Sequence, residues 1–240
     1  LDENGNDLPD PAASWAMVRD NVTGLIWEVK QAKDGEADYS NPHDADNGYT
    51  WYDSNHETNG GDVGAFGDTK DTEDFLNALN ARDFCGYSDW RLPSVKELAS
   101  IADMGRYDPA IDTRYFPNTS DGWNGSSYWS ATTSASYSSG AWVVNFYEGD
   151  IVVHDKYDSL YARSVRDKPS GLSDTLVDNG DGTVTDTETG LMWQQNIREQ
   201  AFNWQGALSY CEDLTLAGYT DWRLPGIEEL RSIVDYGRYD

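Results

Sequence analysis

The sequence predicts an α+β fold built twice along one chain, and three observations support that prediction. Thr23-Gly24-Leu25-Ile26-Trp27 recurs 166 residues later as Thr189-Gly190-Leu191-Met192-Trp193. Gly86-Tyr87-Ser88-Asp89-Trp90-Arg91-Leu92-Pro93 recurs 132 residues later as Gly218-Tyr219-Thr220-Asp221-Trp222-Arg223-Leu224-Pro225. Behind it, Glu97-Leu98 and Gly105-Arg106-Tyr107-Asp108 return as Glu229-Leu230 and Gly237-Arg238-Tyr239-Asp240. An ordered match of this length marks two copies of one domain rather than a short-period solenoid. The third observation is that strand-like runs stand at the ends of the repeat with helical spacings between them, the pattern of an α+β domain.

Each element follows from local chemistry. Val184–Asp186 and Leu191–Trp193 flank Thr187-Glu188-Thr189-Gly190 and read as a β-hairpin. Asp71–Ala81, with Phe75, Leu76 and Leu79 at helical spacing, reads as an amphipathic helix whose counterpart is Trp204–Leu214. Pro93 and Ser94 suit the start of a second helix, striped by Val95, Leu98, Ile101 and Ala102. Ala141–Tyr147 and Ile151–His154 read as strands around a turn at Glu148-Gly149-Asp150, with a final strand around Tyr161–Val165.

The boundaries follow from the repeat: an acidic segment over 1–13, a complete domain over 14–167, a linker over 168–175 and a partial second copy over 176–240. The two offsets differ by 34 residues, so copy one holds an insertion, placed within Glu28–Asp74. That stretch has 13 acidic and 3 basic residues, and Asp34-Gly35, Asn47-Gly48 and Asn59-Gly60-Gly61 mark turns, so it is expected to be loop-like. Nothing matching Pro109–Asp167 follows Asp240 in these 240 residues. A start at Leu1 that is neither an initiator Met nor a signal peptide reads as a processed or trimmed chain, and trimming is the simpler account of the half copy.

Composition narrows the function. With 43 acidic and 17 basic residues the net charge is −26, which argues against binding duplex nucleic acid, anionic lipid or sulfated polysaccharide. The 10 Trp, 15 Tyr and 6 Phe are enough to build a core despite that charge. No apolar run is long enough to span a membrane. Cys85 and Cys211 form neither a disulfide framework nor a metal-type spacing. Few Lys, many Trp and Tyr, and few Cys fit a secreted or cell-surface bacterial protein.

Taken in order, Thr-Gly-Leu-Ile-Trp, Gly-Tyr-Ser-Asp-Trp-Arg-Leu-Pro-Ser-Val-Lys-Glu-Leu, Tyr128-Trp129-Ser130-Ala131-Thr132 and Ala162-Arg163-Ser164-Val165-Arg166 resemble the Lcl C-terminal domain (DUF1566) family. The resemblance covers about Val18–Asp167 fully and Val184–Asp240 as a first half. It implies a C-type-lectin-like fold with two helices and a mainly antiparallel sheet, in a secreted or surface-anchored bacterial domain. It also implies adhesion and glycan or matrix binding. The Arg-Leu-Pro-x-x-x-Glu-Leu stretch is similar to formylglycine-generating-enzyme-type domains. Their oxidase activity needs two close cysteines, and copy one has Cys85 alone. Members often carry Cys where this chain has Ser164, which would leave Cys85 without its partner; Cys211 is not equivalent to Cys85.

Trp27, Trp90, Arg91 and Glu97, with their repeats Trp193, Trp222, Arg223 and Glu229, read as structural: Trp and Leu anchor the helix start, and Arg91 pairs with Asp89 or Glu97. Arg106 with Asp108 is an ion-pair candidate on the same terms. Residues 118–140 hold eight Ser, three Thr and a single charge at Asp121. Rigid aromatics among small polar residues suit an adaptable binding loop, for which Trp123, Asn124, Tyr128 and Tyr137 are the candidate contacts. The other reading is a Ser-rich surface loop over a buried Trp129. No cofactor is required, but Ca²⁺ is a candidate at Asp178 and Asp181 or at Asp44 and Asp46. Asp178-Asn179-Gly180-Asp181-Gly182 fails EF-hand spacing and is more simply a turn. Calcium is nevertheless expected to stabilise so acidic a chain weakly.

The histidines His43, His56 and His154 are scattered, without a metalloprotease or nucleophile-elbow motif, so no enzyme is expected. The expected function is an extracellular binding or adhesion module for a glycan or surface-protein ligand. A structural subunit or spacer of a surface fibre or envelope assembly, through self-association, ranks second, and a hydrolase last.

Overall fold

A computed structural model describes residues 1–9, 12–65, 70–122, 125–166, 176–187, 189–196 and 201–238. Trp123, Asn124 and the expected linker over 168–175 lie outside these residues. The chain divides into two units, Leu1–Asp167 with Val234–Asp240, and Lys168–Ile233. Among the described residues it has few helices and three small antiparallel sheets. No helix among them is long and apolar enough to cross a membrane.

In unit 1, β1 (Met17–Arg19), β2 (Ile26–Glu28) and β6 (Val165–Arg166) form one sheet in the order β1-β2-β6. β3 (Ser127–Thr133), β4 (Gly140–Asn145) and β5 (Asp150–Asp155) form the second, with β4 central. The register pairs Val143 with Trp129 on one side and with Val152 on the other. The helix α1 (Thr72–Asn80) starts where the Asp71 carboxylate accepts the Asp74 N–H at 2.8 Å, and Glu73 and Asp74 favour the positive helix end. Its apolar face buries Phe75 and Leu79. The helix α2 (Val95–Ser100) opens with a capping box: Ser94 Oγ accepts the Glu97 N–H, and Glu97 Oε2 accepts the Ser94 N–H at 2.7 Å.

Residue-level pairing joins these parts. The main chains of Arg91 and Val165 exchange hydrogen bonds of 3.0 and 2.9 Å, so the Arg-Leu-Pro segment lies against the last strand. Ala131 N–H donates to Pro93 C=O at 2.7 Å, and Val95 N–H to Thr132 Oγ1 at 3.0 Å, which seats α2 against β3. Two apolar clusters fill the interior, one around Trp51, Phe75, Trp90 and Trp129, the other around Trp27, Leu98, Tyr128 and Phe146.

Three expectations change. The Ser-rich stretch is not one loop, because β3 runs through it and Tyr128 and Trp129 are core residues. The acidic insertion is irregular but not merely solvated: Tyr49 and Trp51 enter the first cluster. Tyr161 makes only an isolated bridge to Tyr128, so the final strand is confined to β6.

In unit 2, β7 (Leu176–Asp178), β8 (Thr183–Asp186) and β9 (Met192–Gln194) pair antiparallel in the order β7-β8-β9, with β8–β9 as the expected hairpin. The helices α3 (Trp204–Glu212) and α4 (Ile227–Ser232) repeat α1 and α2. Every buried apolar residue among those described lies between Ala16 and Val165, and neither α3 nor α4 buries any residue.

Candidate functional site

The site is built by fastening the acidic insertion onto the β3–β5 side of unit 1. Trp51 Nε1–H donates to Ser130 C=O at 2.9 Å, and Trp129 Nε1–H donates to Tyr49 C=O at 2.8 Å, so two indoles bond reciprocally across the seam. Lys156, fully buried, donates to the carbonyls of Asn59, Asp62 and Ser138 at 2.8, 2.6 and 2.7 Å, and its ammonium lies 4.4 Å from the Trp51 ring centroid. Burial pushes its pKa down, as expected for a cation held by neutral carbonyls and a ring face. At Gly64, φ is +85° and a Cβ would meet Trp51 O at 2.1 Å, so only glycine lets the loop close there.

The same stretch holds a buried ionic network. Glu28 Oε1 receives Lys30 Nζ and His43 Nδ1, each at 2.9 Å, while Oε2 accepts the Ser164 N–H at 2.9 Å and its hydroxyl at 3.0 Å. Burial alone would raise the carboxyl; Lys30, His43 and Ser164 outweigh it and hold Glu28 at about 2. Arg163 donates to Glu28 C=O at 2.9 Å and Thr119 Oγ1 at 3.0 Å.

A cleft of about 270 Å³ lies where the insertion meets the head of β3 and the segment after β5. Tyr39, Asp46 and Gly48 line it from the insertion, Gly125 and Ser127 from the head of β3, and Ser159, Leu160 and Tyr161 from the segment after β5. Backbone bonds fix its walls: Tyr49 and Leu160 exchange N–H···O bonds of 2.7 and 3.0 Å, and Tyr161 N–H donates to Ser127 C=O at 3.1 Å. The Tyr39 hydroxyl donates to Gly48 C=O at 2.9 Å. Asp46 Oδ2 accepts the N–H groups of Asp34 and Gly35 at 2.8 and 2.7 Å.

Of the sequence-derived ligand and metal candidates among the described residues, Asp46 lines this cleft and the others lie elsewhere. Tyr128, expected as a ligand contact, is 1% exposed; its hydroxyl accepts the Ser120 N–H at 2.9 Å and its ring packs edge-on against Phe146, so it is a core residue. Tyr137 is 47% exposed and donates to Asp155 Oδ2 at 2.6 Å, which also raises its own pKa. Trp123 and Asn124 are outside the described residues, immediately before Gly125 of the cleft.

Each of the two calcium-candidate pairs is engaged in hydrogen bonds of its own turn. Asp178 accepts Gly180 N–H and Gln195 Nε2–H, Asp181 accepts the Thr183 N–H and hydroxyl, and Asp44 accepts Asp46 N–H. These are turn contacts, and among the described residues no group of three or more His, Cys, Asp or Glu could hold a metal ion.

Trp27 and Trp90 are buried, and Trp90 Nε1–H donates to Phe84 C=O at 3.1 Å. Arg91 and Glu97 form a two-pronged pair at 2.8 and 2.7 Å, and Arg223 and Glu229 repeat it. Trp193 and Trp222 are half-buried. Asp89 pairs with Arg166 instead of Arg91, because β6 passes beside it. Arg106 pairs with Asp103 and Asp112 rather than Asp108, whose carboxylate accepts Gly122 N–H. Cys85 and Cys211 are both free thiols, and burial pushes Cys85 up to about 12.

Sequence reasoning missed Tyr39, Ser159 and Tyr161 in the cleft, and the buried charges Glu28, Lys30, Arg163 and Lys156 that hold the insertion in place. One signal was present: Tyr49-Thr50-Trp51-Tyr52 is an aromatic, strand-like run inside an otherwise acidic stretch.

The family model of the Lcl C-terminal domain matches residues 16–166 and again 182–240. Comparison with curated proteins and with solved structures found no match.

Proposed function

Because the chain belongs to the Lcl C-terminal domain family, a description that names no activity, we propose from its own geometry that it is a binding or adhesion module. In this reading it is secreted or held at a bacterial cell surface and recognises a glycan or protein ligand. The observation that supports the reading is the pre-formed cleft of about 270 Å³, walled by two tyrosines, two serines and one carboxylate, on a rigidly bonded frame. Among the described residues no histidine or cysteine lines it, so the lining offers neither an imidazole base nor a thiol nucleophile. The net charge of −26 disfavours nucleic acid as a partner.

On the same footing unit 1 is read as C-type-lectin-like: its first strands pair with its last through β1-β2-β6, two helices flank the sheets, and a long irregular insertion supplies the binding face. The test is binding of the full chain to immobilised glycans and surface proteins, beside a panel of hydrolase substrates. Saturable binding without turnover is expected; turnover without binding would overturn the reading.

A second reading, a structural subunit of a surface fibre or envelope assembly, is favoured by one observation. Trp204, Ile227 and Leu230 of unit 2 are 72%, 50% and 43% exposed. Light scattering across dilution tests it: concentration-dependent growth in mass supports assembly, and a constant monomer mass dismisses it.

A further inference from the structure

We propose that the cleft between the insertion and the head of β3 seats one uncharged sugar ring, a terminal hexose or N-acetylhexosamine. The proposal rests on the binding-module reading and gives it a ligand class.

Size is the first argument. A volume of about 270 Å³ falls just below the ~300–1,000 Å³ of sites for drug-sized ligands, which suits a single ring rather than an oligosaccharide length. Wall chemistry is the second. Tyr39, 43% exposed, and half-buried Tyr161 offer aromatic surface to the C–H face of a sugar. Ser127 and Ser159 bring hydroxyls, and Asp46 brings a carboxylate whose Oδ2 is held by two backbone amides. Asp46 Oδ1 has no hydrogen-bond partner among the described residues, so it is available to accept from sugar hydroxyls, and such O–H···O⁻ bonds are roughly twice as strong as neutral ones.

Charge is the third argument and decides between sugars. Among the described residues no Lys, Arg or His lines the cleft, and Asp46 is its single ionic group. A sulfate or uronate would meet that carboxylate with no cation to offset it, in a chain of net charge −26. A neutral polyol loses nothing on that count. Pre-organisation is the fourth: Leu160, Tyr161 and Ser127 are fixed by backbone bonds and Tyr39 by its bond to Gly48 C=O, so a ligand orders little of the protein when it binds.

Gly48 also lines the cleft, and a Cβ there would lie 2.7 Å from Ser159 Oγ, so a side chain at this position crowds that hydroxyl.

The experiment is saturation-transfer NMR and calorimetric titration of the full chain with glucose, galactose, mannose, N-acetylglucosamine and N-acetylgalactosamine. Glucosamine and heparin serve as cationic and anionic probes. At least one neutral sugar is expected to bind, with affinity falling about tenfold or more in Tyr39→Ala, Asp46→Asn and Gly48→Val. Asp46→Asn keeps an oxygen for the two loop amides, so it stays informative if Gly48→Val fails to fold. Tyr115 is 42% exposed and not part of the cleft lining, so Tyr115→Ala is expected to bind as well as the parent chain. Neutral sugars binding equally to all variants, glucosamine alone binding, heparin binding more tightly than any neutral sugar, or no sugar binding at all would each overturn the proposal. In the last case, binding to an immobilised surface protein would leave the broader module reading standing, and its absence would remove both.

Discussion

The two copies make the same local bonds yet end in different burial. In copy one Thr23 Oγ1 donates to Asp20 Oδ2 and Gly24 N–H to Asp20 C=O, at 2.7 and 2.8 Å; in copy two Thr189 and Gly190 make the same bonds to Asp186 at the same lengths. The Arg91–Glu97 fork returns as Arg223–Glu229, and both hold the N–H that opens the following helix at 2.7 Å. Cys85 and Ala217, equivalent positions, share φ of +54°. Yet Val95 and Leu98 are 1% and 0% exposed, whereas Ile227 and Leu230 are 50% and 43% exposed. The difference lies in what covers the helices. In unit 1 the sheet β3-β4-β5 packs on α2; among the described residues unit 2 has one sheet and two helices, with no counterpart of β3–β5. Short-range motifs thus specify turns, caps and ion pairs, while the core is a property of the long-range sheet laid on them.

That contrast can be broken or sharpened by paired substitutions, the largest first. Glu28 is equivalent to Gln194. Glu28→Gln leaves Lys30 buried without its counter-charge and is expected to cost about 3–5 kcal/mol, while Gln194→Glu, at a half-buried site, should stay within about 0.5 kcal/mol. Denaturant unfolding of both variants checks this, and equal losses would break the comparison. Leu98→Ala is expected to cost about 2–5 kcal/mol as a cavity in a sealed core, against less than about 0.5 kcal/mol for Leu230→Ala.

Next come the two arginine forks, whose bonds match but whose surroundings do not. Glu97 is 3% exposed in its side chain and Glu229 27%. Arg91→Ala therefore strands a buried carboxylate and should lose about 1.5–3 kcal/mol, whereas Arg223→Ala should lose about 0.2–1 kcal/mol. Acid titration probes the same asymmetry. Glu28 is held at about 2 against an ordinary 4.5, so its contribution is complete above pH 4.5 and is lost as pH falls toward 2. Melting temperature should drop through that window in the parent chain, and the Glu28→Gln variant should show a shallower drop. The smallest effect concerns calcium: Ca²⁺ should raise the melting temperature no more than equimolar Mg²⁺, since the acidic surface offers screening while the candidate aspartates serve turns. A calcium-specific rise would point to a real cage.

Much of the architecture was legible because its causes are local. Asp71 and Ser94 cap helices through contacts three residues away, and the β8–β9 hairpin follows from its turn. The candidate site was less legible because its causes are distant in sequence. Glu28 lies next to Trp27 in a central strand buried on both faces, so alternation gives no outward residue, and its partner Ser164 is 136 residues away. The acid-rich composition of the insertion outweighed Tyr49 and Trp51, and a Ser-rich composition hid β3, although serines such as Ser130 are buried through hydrogen bonds. The cleft gathers residues from three segments that no spacing rule relates.

The most direct test of the central claim is residue-resolved amide hydrogen exchange on the full chain. The account predicts that Trp129, Val143 and Val144 of the covered unit exchange only through global opening, while amides of α3 and α4 exchange orders of magnitude faster despite their intact caps. Equal protection of the two sets would contradict it.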